Sequence, residues 1–143
     1  MKRHTPKIRF NLLLSTRLTQ RKKLKKTILS VFAGEEKSLH LLDYIFCSDE
    51  YLLEINNRFL HHDDYTDIIT FDLSENSKFI TGEIYISLTR VKENAVLYNV
   101  SLEDEVRRIA IHGALHLCGF LDKTPADKSL MTEKEDHYLS ASI

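Results

Sequence analysis

Ile68-Ile69-Thr70-Phe71-Asp72-Leu73 and Phe79-Ile80-Thr81-Gly82-Glu83-Ile84-Tyr85-Ile86-Ser87 flank the segment Ser74-Glu75-Asn76-Ser77. The flanks are rich in Ile, Phe, Tyr and Thr, which suit a pleated surface, and the centre is rich in residues that suit a turn, so a β-hairpin is expected. The pattern changes on both sides of it. Downstream, a helix is expected from Leu88 to about Tyr98. Asn99 and Ser101 mark its end and the next cap, and Glu103, Asp104 and Glu105 favour the positive end of a helix that runs to Gly119. A last, strongly charged helix starts at Pro125. Upstream, a strand near Ile8–Leu13 precedes a helix from about Thr19. On it Leu24, Ile28, Val31 and Phe32 share a face, and Gly34 is a plausible stop. A second strand, Leu39–Cys47, leads through the capping run Ser48-Asp49-Glu50 into a helix carrying Leu52, Leu53, Ile55 and Phe59. The expected architecture is α+β: one domain over residues 1–143, with a small mixed β-sheet of about four strands packed with about five helices.

A length of 143 residues fits one core, and 43% hydrophobic with 29% charged residues is ordinary globular usage. No apolar run approaches the roughly eighteen residues of a membrane span, so no membrane partner is expected. The net charge of −1 conceals a bipolar chain, with +10 ahead of Glu35 and −11 from Glu35 onward. Cys47 and Cys118 are too few for a disulfide framework, which suits reduced thiols in a cytosol. The apolar stretch Phe10–Leu14 imitates a signal segment weakly. It is short and broken by Asn11, and the alternation of Ile8, Phe10 and Leu12 suits a strand equally well.

The chemistry concentrates in His112-Gly113-Ala114-Leu115-His116-Leu117-Cys118-Gly119-Phe120-Leu121-Asp122. His112 and His116 are four residues apart on a helix, so both imidazoles project from one face and converge on a single ion. Gly119 can adopt the left-handed conformation that ends a helix and returns Asp122 to that face. Two imidazoles and a carboxylate fill three positions of a tetrahedral Zn²⁺ and leave a fourth for water, as in catalytic sites. Paired helical histidines also arise as ordinary boundary residues; the glycine stop and the returning carboxylate set this pair apart. Val106, Ala110, Gly113 and Leu117 form a separate stripe, and Gly113 would allow close approach to a neighbouring element. Cys118 should point away from the ion. The spacing also matches metzincin peptidases, but those place a glutamate base directly after the first histidine, where this chain has Gly113. Phosphodiester hydrolysis asks less of the protein, since the ion can both polarise a phosphoryl oxygen and acidify its water. The cationic cluster Arg21, Lys22, Lys23, Lys25 and Lys26 would then hold a phosphate backbone; otherwise it is a solvated helix face.

The run from His112 to Phe120 resembles the signature of the YbeY family of bacterial rRNA maturation factors. Ile55-Asn56-Asn57-Arg58-Phe59, Tyr65-Thr66-Asp67-Ile68-Ile69-Thr70-Phe71 and Gly82-Glu83-Ile84-Tyr85-Ile86-Ser87 are similar to that family's other landmarks, in the same order. The resemblance implies a single-strand-specific, metal-dependent endoribonuclease that acts chiefly in maturation of the 16S rRNA 3′ end and in ribosome quality control. It also implies one divalent ion, most commonly zinc, held by His112, His116 and Asp122, with RNA and the small ribosomal subunit as partners. A cytoplasmic location and no small-molecule cofactor go with it. Either water or a ribose 2′-hydroxyl would attack the phosphodiester. Two departures stand out. The family usually has histidine at the position of Asp122, and most members carry an RNA-contacting arginine where this chain has Leu60. Arg58 is the nearest replacement. A zinc metallopeptidase and a non-catalytic ribosome-assembly factor with a structural metal are the alternatives.

Lesser candidates are expected to be structural or solvated. The loop His61-His62-Asp63-Asp64 is one, standing near a substrate mouth. Asp67 and Glu83 could orient a water or a histidine proton, and His137 should be a surface residue.

Overall fold

A computed structural model describes residues 5–62 and 65–141, so Asp63 and Asp64 of the polar loop lie outside the described residues. Its elements run β1 (Lys7–Leu12), α1 (Arg21–Gly34), β2 (Leu39–Cys47), α2 (Asp49–Leu60), β3 (Ile68–Asp72), β4 (Ile80–Ser87), α3 (Leu88–Leu97), α4 (Leu102–Leu117) and α5 (Pro125–Ala141). The sheet order is β1-β2-β4-β3. β1, β2 and β4 are parallel and β3 returns antiparallel to β4, with Ile68 opposite Ile86, so the expected hairpin and the mixed α+β class both hold.

Strand alternation divides the molecule into two faces. Leu42, Tyr44 and Phe46 of β2 and Ile84 and Ile86 of β4 point to the main core, which is completed by side chains of α1, α3, α4 and α5. On the opposite face α2 covers a smaller cluster of Cys47, Leu52, Ile55 and Ile69. Serines start three of the helices, Ser48 and Ser101 as the sequence suggests and Ser87 in addition. Ser48, Ser87 and Ser101 accept from the backbone N–H groups of Tyr51, Arg90 and Asp104 at 3.1, 3.2 and 3.0 Å.

α1 starts two residues later than expected and stops at Gly34 as expected, though not through a left-handed glycine. The helix begins at Arg21, after a left-handed Gln20 (φ 56°), and runs through Gly34; the left-handed residue past its end is Glu36 (φ 58°). Gly34 is there for room, because a Cβ would lie 2.8 Å from Cε1 of Tyr138 on α5. Glu35 then accepts from the Tyr138 hydroxyl and from Lys134 Nζ (3.1 Å), tying α1 to α5.

α4 is the central element. Val106, Ile109, Ala110, Ile111, Gly113, Ala114, Leu115 and Leu117 are all buried, so it is covered on most of its circumference. It meets the sheet through two glycines. A Cβ on Gly113 would lie 2.8 Å from Ile84 Cδ1 and 3.0 Å from Ile68 Cδ1, and one on Gly82 would lie 2.8 Å from Leu117 Cδ1. The buried Tyr44 hydroxyl donates to the Ala110 carbonyl at 2.8 Å, fixing the helix along the sheet.

Gly113→Ala is therefore expected to overpack the helix–sheet contact and to cost about 1–2 kcal/mol even after the better helix propensity of alanine. The change would be seen as a lower urea midpoint at unchanged m value. Ile84→Val, which removes the Cδ1 atom in the way, should make the double variant less destabilised than the sum of the singles. Burial pushes the Cys47 and Cys118 thiols up to about 12. At pH 8 only about one in 10⁴ of each would be thiolate, so both should alkylate with iodoacetamide far more slowly in native than in urea-unfolded protein.

Candidate metal centre

Gly119, left-handed at φ 106°, turns the chain just past α4. The turn places Asp122 Oδ2 3.2 Å from His112 Nε2 and 3.4 Å from His116 Nε2. The two Nε2 atoms are 3.0 Å apart. His112, His116 and Asp122 are thus brought together as the sequence predicts, and they make a group able to hold a metal ion.

The other ring nitrogens decide what the site wants. His116 Nδ1 faces the Phe120 carbonyl at 2.9 Å, and His112 Nδ1 faces Glu135 Oε2 at 2.6 Å. Each partner is an acceptor, so each Nδ1 carries the hydrogen. In a neutral ring the lone pair then sits on Nε2. Two lone pairs and a carboxylate oxygen converge on one point with no donor among them, an arrangement that only a cation or an added proton relieves. Two neutral imidazoles and one carboxylate are a donor set for a divalent ion, so the residues fit a metal. The electrostatics agree. Burial pulls the His112 imidazolium down, but the hydrogen bond and charge of Glu135, with Asp122 and Asp67, outweigh it and raise it.

Sequence reasoning missed Glu135. It sits on the charged helix α5, only 7% exposed, and links His112 to Arg108, whose Nη1 donates to Glu135 Oε1 at 2.9 Å while Nη2 donates to Asp136 at 2.6 Å. The signal that marks it is a glutamate on the buried stripe of α5, with Met131 and Tyr138, in an otherwise polar segment.

The centre lies in an open cleft of about 1040 Å³ walled by β3, the end of α3, α4 and α5. Its lining includes Asp67, Asp72, Glu105, Asp122 and Glu135 against Arg108 and Lys123, an acidic balance. Asp67 is there, its carboxyl raised by burial. Glu83 is not among the lining residues; it accepts from the Tyr85 hydroxyl at 3.3 Å and lies near Arg9. His62 lines the cleft, His61 closes α2 in a left-handed conformation, and His137 is exposed.

The structure does not bring the expected RNA contacts to this cleft. Arg21, Lys22, Lys23, Lys25 and Lys26 are exposed on α1 but absent from its walls. The chain just ahead of them is tied to the first turn of α4, where Thr19 and Gln20 donate to Glu103 at 3.1 and 2.9 Å. The metal centre is at the last turn of the same helix, about 20 Å away at 1.5 Å per residue. Arg58 is exposed on α2 and paired with Glu54 at 3.2 Å, whereas Asn56 and Leu60 reach the cleft. Among the described residues no helix is long and apolar enough to cross a membrane.

Residues 13–142 match the family model described as Endoribonuclease YbeY. A protein of that name from Cytophaga hutchinsonii is 50% identical over 123 residues, 86% of each chain. Another, from Flavobacterium psychrophilum, is 51% identical over 112 residues, 78% of this chain and 79% of the relative. A solution structure of a Thermotoga maritima protein matches with a TM-score of 0.65 and 29% identity, covering 94% of this chain and 88% of that one.

Glu135→Gln tests the carboxylate behind His112. An amide cannot accept from both Arg108 and His112. With its oxygen toward Arg108 its NH₂ faces Nδ1, which moves the imidazole hydrogen onto the ligating Nε2. Metal affinity is expected to fall about 10- to 100-fold with the fold retained. Competition against a chromogenic chelator, with circular dichroism as the folding control, measures both.

Proposed function

The chain belongs to the YbeY endoribonuclease family, and we propose that it is a single-strand-specific, metal-dependent endoribonuclease of rRNA processing, acting chiefly at the 16S rRNA 3′ end. One observation carries the reading: His112 Nε2, His116 Nε2 and Asp122 Oδ2 converge, without a donor among them, in a cleft open enough to admit a polymer. We take zinc as the ion, with Asp122 as a harder third ligand that widens tolerance for other divalent ions. A divalent ion held by these atoms supplies charge to a phosphoryl oxygen and lowers the pKa of a water toward about 7.

The protein's own groups do the rest. Glu135 and the Phe120 carbonyl hold the two imidazoles in the ligating tautomer, and Arg108 holds Glu135. The peptidase reading loses its base for a steric reason, since a side chain at Gly113 would run into Ile84 and Ile68. We assign the whole of residues 1–143 to this one domain, place it in the cytoplasm with precursor rRNA and the small ribosomal subunit as partners, and give it no small-molecule cofactor. Arg58 and the Arg21, Lys22, Lys23, Lys25 and Lys26 face then serve as phosphate contacts away from the reacting bond.

Metal analysis paired with cleavage of a labelled single-stranded RNA tests the reading. Wild type is expected to hold about one ion per chain and to cleave, with chelator or His116→Ala reducing cleavage to background. Undiminished cleavage by His116→Ala would refute the assigned centre. Metal-loaded wild type that leaves RNA intact would favour an assembly factor, and cleavage of a peptide panel instead would favour a peptidase.

A further inference from the structure

The walls of the cleft carry a feature that metal binding does not use. Tyr98, at the end of α3, is 62% exposed, and Tyr65, just before β3, is 50% exposed; both line the cleft that holds the metal centre. Large aromatic side chains left this open gain little from the core of their own protein. Tyr65 is also propped. The Arg90 guanidinium stands 5.1 Å from its ring centroid and is itself held by Asp49 through Nε at 2.9 Å and Nη2 at 3.4 Å. One ring is thus braced by a tethered cation.

The polar surroundings fit the same ligand. In the β3–β4 ladder Asp67 O accepts from Ser87 N at 2.9 Å, and Leu73 N donates to Thr81 O at 2.8 Å. With the unbroken register between them, the odd-numbered residues of β3 pair with β4, and the peptide groups of Ile68, Thr70 and Asp72 face the opposite way. These three residues line the cleft, and among the described residues no strand lies beyond this edge, although the Ile68 carbonyl already accepts from the Thr66 hydroxyl at 3.3 Å. The cleft therefore offers exposed π faces and main-chain donors and acceptors, while its charged side chains are mostly acidic. Such a wall is poorly suited to gripping a phosphate backbone and well suited to bases.

We propose that Tyr65 and Tyr98 are stacking platforms for unpaired nucleobases of the RNA substrate beside the metal centre, with the free edge of β3 facing the base edges. The inference rests on the endoribonuclease reading. It also gives that reading its selectivity, because a base inside a duplex has no free face to offer and would have to be unstacked first.

Steady-state cleavage of a single-stranded RNA by metal-loaded protein tests it. Tyr98→Leu and Tyr65→Leu, each at an exposed position, are expected to raise KM by about 5- to 150-fold with kcat little changed, the range that loss of one stacked base gives. Tyr98→Phe and Tyr65→Phe should keep wild-type KM, since the ring and not the hydroxyl stacks. A substrate made abasic at the two nucleotides flanking the scissile bond should bring wild type down to the level of the Leu variants. Leu variants with unchanged KM, or Phe variants as impaired as Leu, would overturn the stacking role while leaving the endoribonuclease reading intact. Wild type that fails to cleave RNA would overturn both.

Discussion

The structure depends on the distance between α4 and the sheet. Two glycines set it, Gly113 on the helix over Ile84 and Ile68, and Gly82 on β4 under Leu117. Absent side chains let the backbones close. The Tyr44 hydroxyl then fixes the position of the helix along its axis through the Ala110 carbonyl. A helix buried on most sides has little surface left for polar groups, and the strip that remains carries His112 and His116. The packing that makes the core therefore also aims the two imidazoles along the β3 side of the sheet, into the cleft.

Electrostatics then govern the site. Placing a carboxylate as buried as Glu135 costs free energy unless it is paired and hydrogen-bonded, and Arg108 and His112 provide both. In return Glu135 fixes which nitrogen of His112 turns its lone pair toward Asp122 and His116, a choice that the i, i+4 spacing leaves open. The Phe120 carbonyl does the same for His116, and it can do so because the turn after α4 folds Phe120 back, with its N–H donating to the Leu115 carbonyl at 3.0 Å. The Gly119 turn thus has two consequences. It returns Asp122 to the site, and it supplies the acceptor that orients the second imidazole.

This division explains what was legible in the sequence. The convergence of His112, His116 and Asp122 was, because helical spacing and a left-handed glycine are local rules acting over eleven residues. The hairpin, the caps at Ser48 and Ser101 and the stripe containing Gly113 were legible for the same reason. Glu135 was not, since its partner lies 23 residues away and its helix shows charge on nearly every turn. The stop of α1 at Gly34 was legible but its cause was not, because Gly34 answers to Tyr138, more than 100 residues on, whereas the left-handed position falls to Glu36. The placement of the basic face was illegible too. Composition shows that ten cations precede Glu35, but only the topology puts the start of α1, which carries the exposed cations, beside the start of α4 and away from the metal centre, while the far end of α1 reaches α5.

That separation gives the chain's bipolar charge a physical meaning. An acidic cleft lowers the affinity of any polyanion for its own walls, so electrostatic attraction of RNA must come from elsewhere, and the exposed cations of α1 are suitably concentrated for it. About 20 Å corresponds to roughly six nucleotides of a single strand at stacked spacing. If α1 takes up RNA as proposed, a strand held there at one end could present a segment several nucleotides away to the metal centre. On that reading the backbone is gathered by charge at a distance, while in the cleft Arg108 and Lys123 are outnumbered by carboxylates, so a divalent ion at His112, His116 and Asp122 would add the positive charge that a phosphate needs there. With carboxylates outnumbering cations in the cleft, binding of a phosphate at the centre and its reaction there would, on the proposed reading, depend on the same cation.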